Sequence, residues 1–319
     1  MVGRLAPSPT GAQHVGNART FLLAWLSARC QGGTMVFRME DIDSPRVKPW
    51  AVQQALDDLR WLGLDWDYGP DIGGPHAPYT QTQRRDLYGD ALERLKSAEL
   101  VYPCTCSRSD ALAAASAPHA GQESPAYPGT CSHRTAADAM SLAAHPFAWR
   151  FRLQGSDFFT DLIHGPQSQS LSDLGDFVIA KADGAPAYQL AVVLDDHAMG
   201  VTEVVRGDDL LPSTFRQRAV ARALNFESPA YAHVPLIVGP DGRRLAKRHG
   251  DTRIAVLREQ GIPPERLIGR LAFSAGLVDH EQSVAARDLM PAFNWSRLQR
   301  GPRIWTPADW ESLFTGPNA

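Results

Sequence analysis

Residues 3–17 read GRLAPSPTGAQHVGN, a short apolar segment followed by a rigid proline-rich turn and the start of a helical pattern. Residues 3–6 are predicted to form a strand. A helix is predicted over residues 17–29, because its apolar side chains recur at helical spacing. Residues 34–40 are mostly apolar and predict a second, buried strand. A strand, a helix and a strand in this order predict an α/β fold with a parallel sheet and a right-handed crossover.

The rest of the chain is predicted to consist of one domain interrupted by an insertion, with a helical end. The predicted segments are a first half over residues 1–100, an insertion over 101–165, a second half over 166–250 and a small helical domain over 251–319. The insertion is distinguished by three of the four cysteines and by an Ala-, Ser- and Pro-rich run. Its predicted strands are 147–153 and 158–163. The strands predicted to return to the first sheet are 177–181, 188–194 and 201–205.

The composition is that of a soluble globular protein. Of the 319 residues, 44% are hydrophobic and 21% are charged, which excludes collagen-like, disordered and membrane-embedded classes. No apolar stretch is long enough to span a bilayer and no secretory signal is visible, so we expect a cytoplasmic protein of about two domains. The net charge of −3 argues against a protein that coats nucleic acid. Between residues 206 and 303, however, 16 Lys/Arg outnumber 10 Asp/Glu, which suits either a phosphate-binding face or solvated Arg-rich helices.

The turn before the first helix is a candidate phosphate site. Gly16 allows another molecule to approach the backbone where the helix begins, and the unpaired N–H groups of a helix N-terminus attract anions. His14 is positioned to donate a hydrogen bond to a phosphate oxygen. An ordinary strand-to-helix loop with a surface histidine explains the same residues equally well.

A second candidate site is the basic loop at residues 241–250, which reads DGRRLAKRHG. Five basic or histidine side chains fall within seven positions between two glycines. Such a loop can close over a triphosphate and stabilise the charge on a leaving pyrophosphate. The alternative is a nucleic-acid-binding or merely solvated loop.

Cys104, Cys106 and Cys131 form the third candidate site. One residue separates the first two, so they cannot comfortably form a disulfide, and we expect reduced thiols. Three thiolates supply most of the tetrahedral shell of a structural zinc ion, which would stabilise a small, loop-rich insertion. A metal-free group of buried thiols is the alternative. Cys30, on an apolar helix face, is predicted to be a core thiol.

Together these segments resemble the signatures of class I aminoacyl-tRNA synthetases, and more narrowly those of the glutamyl branch. The segments that match the glutamyl branch, in order along the first 250 residues, are 4–11 (RLAPSPTG), 38–43 (RMEDID), 187–191 (AYQLA), 205–209 (VRGDD) and 245–250 (LAKRHG). The resemblance implies a Rossmann-type parallel sheet split by a zinc-binding insertion and followed by a small helical domain. It also implies activation of L-glutamate with ATP, accompanied by Mg²⁺.

The resemblance further implies which residues form the sites. The residues expected around glutamate are Arg4, Leu5, Ala6, Pro7, Ser8, Glu40, Tyr188 and Arg206. Guanidinium groups are suited to read a carboxylate, and a carboxylate with a phenol suits the α-ammonium. The residues expected around ATP are His14, Gly16, Asn17 and Lys247, with His14 and Lys247 as the catalytic groups.

For the zinc site, the resemblance implies a Cys-x-Cys pair followed by Tyr-x-x-x-Cys. The expected ligands are Cys104, Cys106, Tyr127 and Cys131. His133 is chemically a better fourth ligand than a phenol and is the alternative to Tyr127.

Two departures from the family pattern bear on the rate. Asn17 stands where the first signature usually ends in histidine, and an amide never carries a charge. In the second signature, Arg244 and Ala246 replace the usual lysine and serine, so a hydroxyl contact is missing. Because Lys247 is retained, we expect an active enzyme with a slower activation step.

The number of residues after the basic loop helps to predict which tRNA accepts the activated glutamate. Residues 251–319 are too few for the large anticodon-reading domains of full glutamyl enzymes. The chain therefore resembles the short members of the branch, which activate glutamate without tRNA and transfer it to queuosine in the anticodon loop of tRNA(Asp). We expect a monomer whose partners are L-glutamate, ATP and queuosine-bearing tRNA(Asp), with no membrane. The alternatives are a compact glutamyl-tRNA synthetase charging the 3′ end of tRNA(Glu) and a non-enzymatic, synthetase-like RNA-binding module.

Overall fold

The computed structural model describes residues 1–42, 46–107, 126–142, 145–243, 245 and 252–315. The strands are β1 Val2–Leu5, β2 Thr34–Phe37, β3 Val101–Cys104, β4 Ala148–Phe151, β5 Ser156–Asp161, β6 Gly165–Ser170, β7 Phe177–Ala180, β8 Glu203–Gly207, β9 Ala230–Val234, β10 Ile237–Val238 and β11 Arg303–Ile304. The α-helices are α1 Val15–Cys30, α2 Pro49–Trp61, α3 Arg85–Ser97, α4 Leu171–Leu174, α5 Tyr188–Ala198, α6 Leu211–Ala223, α7 Ile254–Glu259, α8 Pro264–Ala275 and α9 Pro307–Thr315. In these ranges no helix is both long and apolar enough to cross a membrane.

The first strand, helix and strand form as the sequence predicts. β1 and β2 pair in parallel from Val2 opposite Thr34 to Leu5 opposite Phe37. α1 lies between them in the chain and is buried along most of its length, which explains why apolar residues occur on more than one face. The α/β fold with a parallel sheet is confirmed.

A second group of strands lies beside β1. β8 and β9 pair in parallel, β5 joins β9 in parallel, and β6 is antiparallel to β5. The Thr202 amide donates to the Val2 carbonyl at 2.9 Å, and Arg4 Nη1 donates to the Val205 carbonyl at 2.8 Å. The carboxyl ends of β1 and β8 therefore lie side by side, which is where open α/β sheets bind their ligands.

A separate antiparallel sheet contains β3, β4 and β7. Two strand predictions need correction here. Residues 177–181 were expected to return to the first sheet, but β7 pairs with β4. Residues 158–163 were expected in the insertion, but β5 pairs with β9. The reason is that an alternating pattern identifies a strand but not its partner, which depends on contacts far apart in the chain. The domain boundaries stay a prediction.

The predicted strand at residues 188–194 is wrong, because this segment forms the helix α5. The segment is apolar on every side and contains adjacent valines, and a short apolar run of this kind does not distinguish a buried strand from a buried helix. Asp195 and Asp196 continue the helix and are buried as well.

The elements after residue 251 are mostly helical, as the sequence predicts. Leu257, Leu267 and Leu271 are fully enclosed and share one apolar core with Leu22 and Leu26 of α1. The short strand β11 pairs in parallel with β10. This end of the chain thus packs on the first helix, and a separate helical domain stays a prediction.

Candidate active site and metal centre

His14 is the N-cap residue of α1. Its Nδ1 accepts a hydrogen bond from the Gly16 amide at 3.1 Å, and its own amide donates to Asn17 Oδ1 at 3.4 Å. This reciprocal pair is a capping box, which stabilises the first helical turn. Because Nδ1 accepts, a neutral His14 carries its proton on Nε2, as a donor. A Cβ on Gly16 would approach the His14 ring to 3.0 Å, so glycine lets the histidine fold back over the backbone. Asn17 therefore has a structural role at this position.

Thr252 and Ile254, which follow the basic loop in the chain, lie beside the same helix start. The Val15 amide donates to the Thr252 carbonyl at 3.2 Å, and the Ile254 amide donates to the Gln13 carbonyl at 3.0 Å. The segment after the loop is thereby joined to the first signature. Of the basic loop, residues 244 and 246–250 lie outside the described part of the chain, and they include Arg244, Ala246 and Lys247. The role of Lys247 stays a prediction.

A cavity of about 480 Å³ opens where β1, β8 and α1 meet. The predicted residues that line it are Arg4, Ala6, Ser8, His14, Gly16, Asn17, Glu40, Tyr188 and Arg206. Leu5 is instead enclosed in the core, and the Pro7 carbonyl accepts a hydrogen bond from the Glu40 amide at 3.0 Å. Segments far apart in the sequence thus meet in one cavity, while the ligand of each residue stays a prediction.

Beneath the cavity lies a buried ionic network centred on Arg38. Arg38 Nη2 lies 2.9 Å from Glu40 Oε1 and Nη1 lies 2.7 Å from Asp196 Oδ1. Arg4 Nε lies 3.9 Å from the same Asp196 oxygen. Burial raises the pKa of Glu40, although the Arg38 charge opposes this. Burial and the Glu40 charge also raise the pKa of Tyr188, so its hydroxyl keeps its proton at neutral pH.

Asp195 extends the network away from the cavity. Its carboxylate accepts from Arg84 Nε at 2.7 Å, from the Tyr88 hydroxyl at 3.0 Å and from Gln81 at 2.9 Å. The charges of the network balance, with Arg4, Arg38 and Arg84 against Glu40, Asp195 and Asp196. A balanced network can be buried at modest cost and hold Glu40 in place.

Arg206 has a different environment. Its Nη1 donates to Gln217 Oε1 at 2.7 Å, Nη2 donates to Thr214 Oγ1 at 2.7 Å and Nε donates to His233 Nε2 at 3.1 Å. Unlike Arg38, it forms no ion pair with a carboxylate within the described ranges. Arg206 is 4% exposed and borders the cavity. A buried cation with uncharged partners favours an anion in that cavity.

Sequence reasoning missed the partners of these arginines. Asp195 and Asp196 gave one usable signal, since two adjacent carboxylates in an apolar run need buried partners. Thr214, Gln217 and His233 gave no local signal, because their role depends on three elements meeting around Arg206.

The three cysteines lie together, with their sulfur atoms within 4.8 Å of one another. Cys106 Sγ and Cys131 Sγ are 3.7 Å apart, close to the spacing of about 3.8 Å expected for thiolates bound tetrahedrally to zinc at about 2.3 Å. The Tyr127 hydroxyl lies 3.4 Å from Cys104 Sγ and 3.5 Å from Cys106 Sγ. The donor set therefore fits a closed, four-ligand metal site.

The surroundings of this cluster bear on its fourth ligand. Among the described residues, the group contains only the three cysteines, and His133 is exposed outside it. Arg150 Nε donates to Cys104 Sγ at 3.2 Å, and its guanidinium lies 3.6 Å from the centre of the Tyr127 ring. Burial opposes ionisation of Cys131, but hydrogen bonds, chiefly from Tyr127, lower its pKa to about 7. Tyr127 thus contacts the cluster, while the identity of the fourth ligand stays a prediction.

Known proteins are similar to the chain along nearly its whole length. Residues 1–306 match the family described as tRNA synthetases class I (E and Q), catalytic domain. The chain is 50% identical to the Glutamyl-Q tRNA(Asp) synthetase of Symbiobacterium thermophilum, covering 100% of both chains. It is also 50% identical to that of Rhodopirellula baltica, over 95% of this chain and 96% of the relative. A crystal structure of a glutamate tRNA ligase from Elizabethkingia meningosepticum in complex with its amino acid has a TM-score of 0.84 at 28% identity, covering 98% of this chain and 68% of that one.

Proposed function

The chain belongs to the class I tRNA synthetases of the E and Q type, and we propose that it activates L-glutamate with ATP, without tRNA, and transfers it to queuosine in the anticodon loop of tRNA(Asp). Membership of this family makes it an enzyme of the ligase type. The acceptor is supported by the names of two relatives that match this chain along nearly their whole lengths.

One observation carries the choice of glutamate. Arg206 is a buried cation whose hydrogen-bond partners are all uncharged, namely a side-chain amide, a hydroxyl, an imidazole and a backbone carbonyl, and it borders the cavity. A carboxylate that enters the cavity supplies the missing negative charge, and a guanidinium binds it through parallel hydrogen bonds. Arg4 borders the same cavity and adds a second cation, while Glu40 and Tyr188 are available for the α-ammonium.

ATP is proposed to bind at the start of α1. The helix N-terminus attracts phosphate, and Nε2 of a neutral His14 is a hydrogen-bond donor. Lys247 is proposed to contact the phosphates from the basic loop, and Mg²⁺ to screen their charge. The glutamate α-carboxylate attacks the α-phosphorus of ATP, the bond to the bridging oxygen breaks, and pyrophosphate leaves. The chain contributes by positioning and charge stabilisation, so no protein nucleophile is needed.

The second step consumes the adenylate. A hydroxyl of the queuosine cyclopentene ring attacks the glutamyl carbonyl, the mixed anhydride bond breaks, and AMP leaves with the bonding electrons. A compact glutamyl-tRNA synthetase would use the same cavity for another acceptor, but the names of the relatives at 50% identity do not favour it. We also propose that the enzyme is a cytoplasmic monomer.

A structural role is proposed for zinc. The ion would be held by Cys104, Cys106, Cys131 and Tyr127, and it would supply a cross-link between segments of the chain that hold few apolar residues. Arg150 would act as an outer partner that orients Cys104 and Tyr127.

Pyrophosphate exchange tests the activation step. The purified chain, given ATP, labelled pyrophosphate and L-glutamate but no tRNA, is expected to incorporate label into ATP, because the adenylate forms reversibly. L-Glutamine in place of glutamate is the control, and it should support far less exchange since it brings no charge to Arg206. A protein that exchanges no label with glutamate and Mg²⁺ would contradict the proposed activation.

A further inference from the structure

Arg206 is oriented by a buried histidine that the proposed chemistry does not use. His233 lies on β9 and is fully enclosed, and its Nε2 faces Arg206 Nε at 3.1 Å. On the other side of the ring, Nδ1 lies 2.6 Å from Asp161 Oδ2. Asp161 is also buried, at the end of the neighbouring strand β5. A carboxylate, an imidazole and a guanidinium thus form a line that ends at the cavity.

The hydrogen bonds determine which imidazole nitrogen holds the proton. Asp161 Oδ1 accepts from the Ile163 and His164 amides, both at 2.9 Å, and Oδ2 accepts from the His233 amide at 3.1 Å. Burial opposes ionisation, but these donors and the His233 ring hold the pKa of Asp161 below its ordinary value. An ionised Asp161 requires a proton on His233 Nδ1. Burial and the Arg206 charge lower the pKa of His233, so Nε2 carries no proton and can accept from Arg206.

The remaining contacts complete the orientation of the guanidinium. Thr214 accepts from Nη2 and Gln217 accepts from Nη1. Nη2 also donates to the Leu210 carbonyl at 3.5 Å, so each of the three nitrogens has at least one uncharged acceptor. Rotation of the guanidinium would break several of these hydrogen bonds at once.

We propose that Asp161 and His233 form a positioning pair that holds Arg206 ready for a carboxylate and thereby selects glutamate over glutamine. The inference rests on the proposed function. Neither residue is assigned a chemical step. The neutral His233 orients the guanidinium without cancelling its positive charge. An acidic residue in the same place would neutralise Arg206, and glutamate would then bind no better than glutamine.

Asp161→Asn tests the pair. If the single amide oxygen keeps the Ile163 and His164 amides, the NH₂ group faces His233, and the imidazole must shift its proton to Nε2. A donor then faces Arg206 Nε. We expect the glutamate KM in pyrophosphate exchange to rise about 10- to 100-fold, as for loss of a hydrogen bond to a charged group. The kcat should change much less, and the preference for glutamate over glutamine should fall about tenfold or more.

Asp157→Asn is the matched control. It removes a buried carboxylate from the same strand, but Asp157 pairs with Arg218 and Arg222. It should leave the glutamate KM and the preference for glutamate unchanged.

Two further measurements do not depend on the folding of Asp161→Asn. The ¹⁵N shifts of the His233 ring should show a proton on Nδ1 and none on Nε2, a result that needs no activity. His233→Gln, which retains an acceptor for Arg206, should preserve the preference for glutamate better than His233→Leu. A proton on Nε2 of the wild-type ring, or a wild-type preference in His233→Leu, would overturn the pair, whereas absent exchange in the wild type would instead overturn the proposed function.

Discussion

Replacing Arg206 with methionine is expected to lower kcat/KM for glutamate by about 30-fold to several thousandfold, from the roughly 2–5 kcal/mol that loss of a buried charged partner costs. Methionine fills much of the same space but brings no charge and no donors. Thr214, Gln217 and His233 would also lose their shared donor. Glutamate-dependent pyrophosphate exchange measures the effect, with glutamine assayed in parallel.

The loss of activity in Arg206→Met is expected to be selective for glutamate. Exchange with glutamate should fall far more than exchange with glutamine, because only glutamate carries the charge that Arg206 is proposed to bind. Arg222→Met is the matched control, since Arg222 lies on α6, is half-exposed and pairs with Asp157. Equal losses with both amino acids, or a wild-type kcat/KM in Arg206→Met, would count against a carboxylate at Arg206.

Replacing Cys104 with alanine is expected to release the bound metal. Native protein should contain about one zinc ion per chain, and the variant close to none, because a structural zinc site needs all its ligands. Loss of the ion should loosen the sheet of β3, β4 and β7, since Cys104 ends β3 and its neighbour Arg150 lies on β4. Metal analysis measures the first effect, and amide hydrogen exchange resolved by segment measures the second.

The control for the metal site is Cys30→Ala. Cys30 is the last residue of α1, and the prediction of a core thiol is wrong because the residue is exposed; its thiol contacts the Met290 carbonyl rather than the cluster. Replacement of Cys30 should leave the zinc content unchanged. Amide hydrogen exchange in β1 and β2 should stay slow in both Cys104→Ala and Cys30→Ala. Native protein that contains no zinc after purification without chelators would contradict the proposed zinc site.

The sequence predicted the elements that depend on neighbouring residues, but not those that depend on contacts between distant segments. β1, α1 and β2 follow from apolar spacing and a proline-rich turn, and the structure confirms them. The helix α5 was missed because an apolar run has the same pattern in a buried helix and in a buried strand. The partners of β5 and β7 were missed because pairing is decided by contacts between distant segments.

The candidate site shows the same division. Arg4 and Glu40 were found because they lie in segments whose residues carry a family pattern. His233 and Asp161 were not found, because nothing near either residue in the sequence shows that β5 and β9 are neighbours. Asp196 lies in a misassigned segment, so its pairing with Arg38 was also hidden. Buried partners of functional arginines therefore become visible only when the strands are assembled.

The acceptor of the activated glutamate distinguishes the proposed enzyme from a glutamyl-tRNA synthetase. Labelled glutamate, ATP and the purified chain are incubated separately with queuosine-bearing tRNA(Asp), the same tRNA lacking queuosine, and tRNA(Glu). We expect label on queuosine-bearing tRNA(Asp), recovered in its anticodon loop after nuclease digestion, and none on the other two tRNAs. Label on the 3′ end of tRNA(Glu), with queuosine-bearing tRNA(Asp) unlabelled, would contradict the proposed function.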